Sequence, residues 1–340
     1  MAYCEILKLF KGILVSIHIP TVTVDKVSLM YVEPGVLYGY RLEYQTVIYY
    51  LKSIFQFHNE TVNIWTHLVP FIFVFLKTYN CITTLEDATY ICVLLCFAFG
   101  TIMYTLFSVL AHTLHSKSPI YHYTCYTLDY MGIGYYALGA CILVYYCSCH
   151  EKYYAMLEHC FLPVVVVMSW LGFLCCTISK LRYRRPYPFQ RKLWNICSFG
   201  FQCVLVYSVV NARYYDSLMN NTLSSPNHHT LVFVYILVSV FFFSSHIPEK
   251  FYPGKFDFIG QGHQIFHIMV SLGTLEQFNA AMIDIRYQTP LLINHKPRAD
   301  HIVLSLLAYT VMALITIYFF GPTIQNRVKE DVELEQMRKK

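Results

Sequence analysis

Charged residues are scarce in this sequence. Asp, Glu, Lys and Arg make up 13% of its 340 residues, whereas hydrophobic residues make up 56%. Soluble domains are about 25% charged and about 45–50% apolar, so this chain has too few polar groups to cover a water-exposed surface. The composition and a mean hydropathy of +0.44 exclude a disordered chain and argue strongly against a soluble globular protein.

Several common functional motifs are also missing. The sequence contains no P-loop, no GxSxG nucleophile motif, no dinucleotide fingerprint and no CxxC pair. The sequence signatures of nucleotide-binding proteins, serine hydrolases and dithiol redox proteins are therefore absent. The chain instead contains long runs of apolar residues.

The apolar runs predict a polytopic, all-α membrane protein. A helix needs roughly 20 mostly apolar residues to cross the hydrocarbon core. Before the first run, residues 44–57 are typical of an amphipathic helix on the membrane surface, although a simple linker is the alternative. The eight candidate spans are residues 61–79, 88–114, 123–149, 155–178, 193–211, 231–245, 263–283 and 302–320.

The distribution of basic residues predicts the orientation. Six of the thirteen residues 180–192 are Lys or Arg, and short basic loops stay on the cytoplasmic side. With eight spans, this loop places both termini inside, and the inside segments then hold 19 of the 25 Lys and Arg residues. The net charge of +5 therefore indicates membrane orientation and not a nucleic-acid partner.

Four potential metal ligands are predicted at the same membrane face. His112 ends the second span, Asp129 begins the third, and His263 and His267 begin the seventh. Residues at i and i+4 lie on one helical face, so the last two histidines can bind one Zn²⁺. Ser108 is one turn deeper than His112. Asp129 can complete the coordination shell or hold a water on the metal.

Alternatives remain at this point. The chain has 15 histidines, so an HxxxH pair can arise by chance, and a histidine at a helix end is often an interfacial or capping residue. Glu276 and Gln277 interrupt the seventh span. Polar groups at that depth need partners, and these two can contact either a ligand's ketone or hydroxyl group or a neighbouring helix.

Three ordered motifs resemble those of the progestin and adipoQ receptor family. The first is FQFHNETVNIWTH at residues 55–67, the second combines Ser108 and His112 with LDYMGI at 128–133, and the third is HQIFH at 263–267. The resemblance implies a seven-helix bundle with a cytoplasmic N-terminus. It also implies a zinc site formed by His112, Asp129, His263 and His267, with Ser108 near the metal-bound water. Three further residues carry over only as motif residues. We interpret them as stabilising the fold or holding the metal ligands in place, and they are Glu60, Asn63 and His67.

The resemblance also sets the expected domain limits. The eighth span is similar to the membrane progestin receptor branch of the family, whereas the adiponectin receptors lack it. We therefore expect a cytoplasmic segment over residues 1–60, a seven-span bundle over 61–283, an outside loop and eighth span over 284–322, and a cytoplasmic tail over 323–340.

Two functions are compatible with these features. The first is a plasma-membrane receptor for a steroid, progestin-like ligand that signals through a cytoplasmic protein. The alternative is a zinc-dependent amide hydrolase of ceramidase type, in which Asp129 and Ser108 position the water and the product is the signal. The expected partners are a lipophilic ligand (steroid or sphingolipid) and membrane lipid, with Zn²⁺ as cofactor and no nucleic acid.

Overall fold

The chain folds almost entirely into helices. The computed structural model describes residues 19–219, 226–287, 295–338 and 340, so parts of the predicted N-terminal segment and outside loop lie outside the described residues. One small antiparallel pair, β1 (Thr21–Val22) and β2 (Tyr40–Arg41), precedes the helices. The α-helices within the described ranges are α1 (Val47–Ser53), α2 (Thr61–Thr83), α3 (Ile91–Leu114), α4 (Pro119–Ser148), α5 (Glu151–Leu157), α6 (Phe161–Arg182), α7 (Phe189–Met219), α8 (Pro226–Ser245), α9 (Gly262–Tyr287) and α10 (Ala299–Arg338).

Six of the described helices are long and apolar enough to cross a membrane, namely α2, α3, α4, α6, α8 and α10. This confirms a multi-pass membrane protein. The other two predicted spans correspond to α7 and α9, which have 31 and 26 residues and are not among these six. The total of eight spans, and of seven in the bundle, stays a prediction.

Three predicted segments have different limits in the structure. The fourth predicted span begins at 155, but α6 begins at Phe161 because the chain turns after the short helix α5. The surface helix predicted over 44–57 is shorter and begins at Val47, where the Thr46 side chain accepts a hydrogen bond from the Tyr49 amide. The predicted tail over 323–340 is continuous with the eighth predicted span, because α10 has 40 residues and passes through Pro322.

The length of α10 carries it beyond the bilayer. At 1.5 Å per residue it is about 60 Å long, against a hydrocarbon thickness of about 30 Å. Its last turns contact the bundle: the Tyr123 hydroxyl donates to Asp331 at 2.5 Å and accepts from Arg327 Nε at 3.1 Å. Pro322 lies inside this helix, and the residues after it continue the helix to Arg338.

Helices α3 and α4 form the closest pair in the core. Glycine lets two membrane helices approach to backbone contact. A Cβ at Gly132 would lie 2.8 Å from the Met103 carbonyl oxygen and 2.8 Å from the Tyr104 Cα, and a Cβ at Gly100 would lie 2.5 Å from the Tyr135 carbonyl oxygen. These contacts bring the helices that carry His112 and Asp129 together.

The N-terminal segment covers one end of the bundle. Buried Arg41 donates to the carbonyl oxygens of His112 and Thr113 at 2.6 and 2.7 Å, which satisfies free carbonyl groups at the end of α3. The Leu37 amide donates to Asp257 at 2.8 Å. The segment therefore packs against the end of the bundle where α3 finishes and α9 begins.

Candidate metal centre

Three histidines converge at that end of the bundle. His112 lies in the last turn of α3, and His263 and His267 lie in the first turns of α9. One nitrogen from each side chain can be chosen so that all three lie within 4.8 Å of one another. His112 and His267 are buried and His263 is partly buried. The cluster joins two helices that are about 150 residues apart in the sequence.

The spacing of the ring nitrogens fits a zinc ion. At Zn–N distances of 2.0–2.1 Å, two nitrogens of a tetrahedral site lie about 3.3 Å apart. Nε2 of His112 and Nε2 of His263 are 3.4 Å apart. Three imidazoles match the protein donor set of catalytic zinc sites, in which a water or substrate takes the fourth position.

The outer nitrogens of two of these histidines contact Glu60, which immediately precedes α2, and Thr66 on α2. Nδ1 of His112 lies 2.8 Å from a carboxylate oxygen of Glu60, and Nδ1 of His267 lies 3.1 Å from the Thr66 hydroxyl. Such contacts fix the ring orientation and direct the opposite nitrogen, Nε2, toward a metal. Glu60 is itself fixed by Asn63, whose amide donates to the carboxylate at 2.7 Å.

His115 extends this arrangement toward the N-terminal segment. Its Nε2 lies 3.2 Å from the second oxygen of Glu60, and both side chains are buried. One carboxylate thus lies between His112 and His115. The sequence motifs named Glu60 and Asn63 but not this pairing, and His115 was not predicted at all. Its position three residues after His112, one turn further along, was the available signal.

His67 lies directly against the cluster. Its ring stacks on His267 with a centroid distance of 3.8 Å and an interplanar angle of 17°. His67 is 4% exposed, and neither ring nitrogen has a hydrogen-bond partner among the described residues. It therefore supports the ring of His267 by packing.

Asp129 and Ser108 are not part of the group formed by the three histidine nitrogens. Asp129 is on α4 and interacts electrostatically with His112. Ser108 is 2% exposed and lies one turn before His112 on α3. The group of three ligands found among the described residues does not include Asp129. Its roles as a fourth ligand or as a water-holding group both stay predictions.

Glu276 and Gln277 have protein partners. The Tyr136 hydroxyl donates to the Gln277 side-chain oxygen at 2.7 Å. Glu276 lies 2.5 Å from His228 Nδ1 and accepts from the Asn279 amide at 3.2 Å. These contacts correspond to the helix–helix alternative. A contact of these two residues with a ligand stays a prediction. They lie about 20 Å along α9 from His263.

A group of cations lies at the same end, between α6 and α7. Lys180 Nζ donates to the Tyr187 hydroxyl at 3.1 Å, and the Arg191 guanidinium lies 3.8 Å from the centre of the Tyr187 ring. Arg185 forms a bidentate ion pair with Glu33 of the N-terminal segment. The basic loop that sets the predicted orientation therefore packs onto the N-terminal segment, at the end that carries the histidine cluster.

These cations predict an unusual titration. Burial raises the pKa of Tyr187, but Lys180, Arg191 and Arg185 outweigh burial and lower it to about 7. We expect a tyrosinate absorbance band to develop around pH 7 in the folded protein and to be missing in Tyr187→Phe. Tyr183→Phe, in the same loop, is the control and should keep the band. A band that persists in Tyr187→Phe would contradict the assignment.

Known proteins identify the class to which this arrangement belongs. Residues 55–278 match the sequence pattern of the family described as haemolysin-III related. Membrane progestin receptor beta of Sus scrofa is 36% identical over 282 residues, which cover 82% of this chain and 80% of that protein. Membrane progestin receptor alpha-B of Danio rerio is 32% identical over 324 residues, which cover 93% and 90%. Membrane progestin receptor beta of Homo sapiens is 36% identical over 286 residues, which cover 83% and 81%.

The helices and these matches show that this protein is an integral, multi-pass membrane protein. More specifically, the chain belongs to the haemolysin-III-related family, the progestin and adipoQ receptor family whose motifs the sequence carries. The prediction of the family is therefore confirmed. The matched range begins at the first residue of the first motif and ends in α9, so it contains all three histidines of the cluster.

Proposed function

We propose that the chain is a receptor for a progestin-like steroid with a zinc site near the cytoplasmic face. The observation that carries the proposal is the similarity to a membrane progestin receptor over 82% of this chain and 80% of that protein. The relatives' names indicate the ligand class. The additional helix α10, expected for this branch, lies against α4 and α6 in the bundle.

The orientation follows from the basic end of the bundle. Arg185, Lys180 and Arg191 lie at the end that carries the N-terminal segment and the histidine cluster. Because basic loops remain on the cytoplasmic side, both termini and the zinc site face the cytoplasm in this proposal. The steroid approaches from the membrane, and cytoplasmic loops transmit the change to a signalling protein.

The three histidines and the residues that contact them are suited to bind zinc. His112, His263 and His267 would hold the ion, while Glu60 and Thr66 keep the first and last of these rings in place. A zinc ion there would lower the pKa of a bound water to about 7 and polarise a carbonyl group.

The second candidate function is zinc-dependent hydrolysis of a lipid amide such as ceramide. The three-histidine cluster favours it, because three protein ligands and one free position are typical of catalytic zinc. Asp129 would then act on the attacking water, with Ser108 beside it. The two functions are compatible, since the released lipid can itself be the signal.

One set of measurements on the purified protein tests both functions. We expect labelled progesterone to bind saturably, and we expect metal analysis to find about one zinc per chain. A ceramide-release assay on the same preparation then separates a receptor from a hydrolase. Saturable binding without release supports the receptor alone. Release without steroid binding overturns the steroid assignment in favour of the hydrolase.

A further inference from the structure

A large groove lies on the side of the bundle, away from the histidine cluster. Its volume is about 640 Å³, within the roughly 300–1,000 Å³ of typical small-molecule sites. The walls come from the end of α2, the start of α3 and the start of α10. We call it the lateral groove, and its wall residues include Phe75, Thr78, Leu95, Phe99, Val303 and Leu306.

The lateral groove is separate from the candidate metal centre. Thr66 contacts His267, and Thr78 is twelve residues further along the same helix. At 1.5 Å per residue these positions are about 18 Å apart. On α3, the wall residue Leu95 precedes His112 by 17 residues, or about 25 Å. The groove is therefore near the opposite face of the membrane.

The wall selects a neutral, apolar ligand. None of the described residues that line the groove is charged. Phe75 and Phe99 offer aromatic surfaces, which pack well against flat rings. Leu95 and Val303 are about half exposed on the outside of the bundle, so the groove opens sideways, toward the lipid. A ligand dissolved in the bilayer can enter it without passing through water.

One hydroxyl group in the groove lacks a partner. Thr78 is 9% exposed, and its hydroxyl has no hydrogen-bond partner among the described residues. Threonines such as Thr101, Thr127 and Thr177 instead donate to the carbonyl four residues earlier in their helices. A buried hydroxyl without a partner costs free energy, which a ligand with a single ketone or hydroxyl group recovers.

We propose that the lateral groove binds the steroid, with the ligand's terminal ketone or hydroxyl group at Thr78 and its fused rings against Phe75 and Phe99. The competing occupants are the acyl chains of the bilayer. A flexible acyl chain loses rotational freedom when it is fixed in a groove, whereas a rigid ring system loses little. The proposal rests on the proposed steroid function and assigns its site. It also gives α10 a role, because Val303 and Leu306 form one wall.

The test uses matched tryptophan variants of the full-length protein in liposomes. Val303→Trp fills the groove, whereas Leu304→Trp places the same bulk one position along α10, at a residue that does not line it. Labelled progesterone should bind Val303→Trp at least about tenfold more weakly, a change of roughly 1.4 kcal/mol, and Leu304→Trp like the wild type. Leu95→Trp repeats the test from the α3 wall. Unchanged zinc content and unfolding temperature establish that each variant is folded.

A second pair tests the polar contact. Thr78→Val keeps the shape of the side chain and removes its hydroxyl, and we expect about two- to tenfold weaker binding, as for one net hydrogen bond. Thr83→Val is the control, because that hydroxyl is bonded to the carbonyls of Tyr79 and Asn80. Weaker binding in Thr78→Val but not in Thr83→Val supports the proposed orientation.

The possible outcomes separate this proposal from the proposed function. If the wild type binds no progesterone, both are wrong. If the wild type binds it and the folded variants Val303→Trp and Leu95→Trp bind it equally well, the receptor function stands and the lateral groove is not its site. That second result is the one expected if acyl chains fill the groove.

Discussion

Replacing His263 and His267 together with alanine is expected to remove zinc from the purified protein. Two of the three clustered ring nitrogens are then lost, and His112 alone cannot hold the ion against water. Metal analysis should fall from about one zinc per chain to background. Any ceramide release should fall with it, since hydrolysis would depend on the bound ion.

The matched control removes two histidines outside the cluster. His159 and His301 are exposed, and the variant with both replaced by alanine should keep its zinc. Glu60→Gln gives an intermediate case, because it retains all three ligands and weakens the contact to His112. Loss of such a supporting carboxylate lowers metal affinity about 10–100-fold. Stoichiometric zinc in the double variant His263→Ala, His267→Ala, or none in the wild type, would rule out the proposed site.

Steroid binding in the same variant distinguishes two places for the ligand. The lateral groove is about 18 Å from the cluster along α2, so a folded, zinc-free protein should still bind labelled progesterone. Loss of binding in a zinc-free protein with an unchanged unfolding temperature would place the steroid at the metal centre. The metal and the ligand can therefore be assigned independently.

The positions of the histidines show how much of the candidate metal centre could be predicted from the sequence. The limits of the apolar runs place His112, Asp129 and the HxxxH pair at one membrane face, and the family motifs imply that these residues form a zinc site. The depth of a residue follows from its helix alone. Lateral proximity does not, because it depends on which helices are neighbours. The three rings come together because α3 and α9 both pack against α2 and α4.

The features that the sequence did not reveal depend on contacts between distant segments. Arg41 reaches the carbonyl oxygens at the end of α3, and Glu60 lies between His112 and His115. Both arrangements require the N-terminal segment to fold onto the bundle. The spacing of apolar residues in the sequence does not predict such packing. The length of α10 has a different cause. The apolar run ends near residue 320, and the helix continues beyond it as a polar segment.

Gly132→Ala is expected to destabilise the protein strongly. The new methyl group would lie 2.8 Å from the Met103 carbonyl oxygen and the Tyr104 Cα, both of which are backbone atoms of α3. Backbone atoms cannot move aside as a side chain can, so α4 has to separate from α3. Overpacking of this kind costs about 1–3 kcal/mol, and thermal unfolding of the purified protein measures it.

Gly200→Ala is the matched control for this prediction. A Cβ at Gly200 meets nothing within 4 Å, and alanine is favoured over glycine inside a helix by about 1 kcal/mol. The control should unfold at the same or a higher temperature than the wild type. Equal stability of Gly132→Ala and Gly200→Ala would mean that α3 and α4 are not in backbone contact. Since these helices carry His112 and Asp129, that result would also remove the basis for placing Asp129 beside the metal centre.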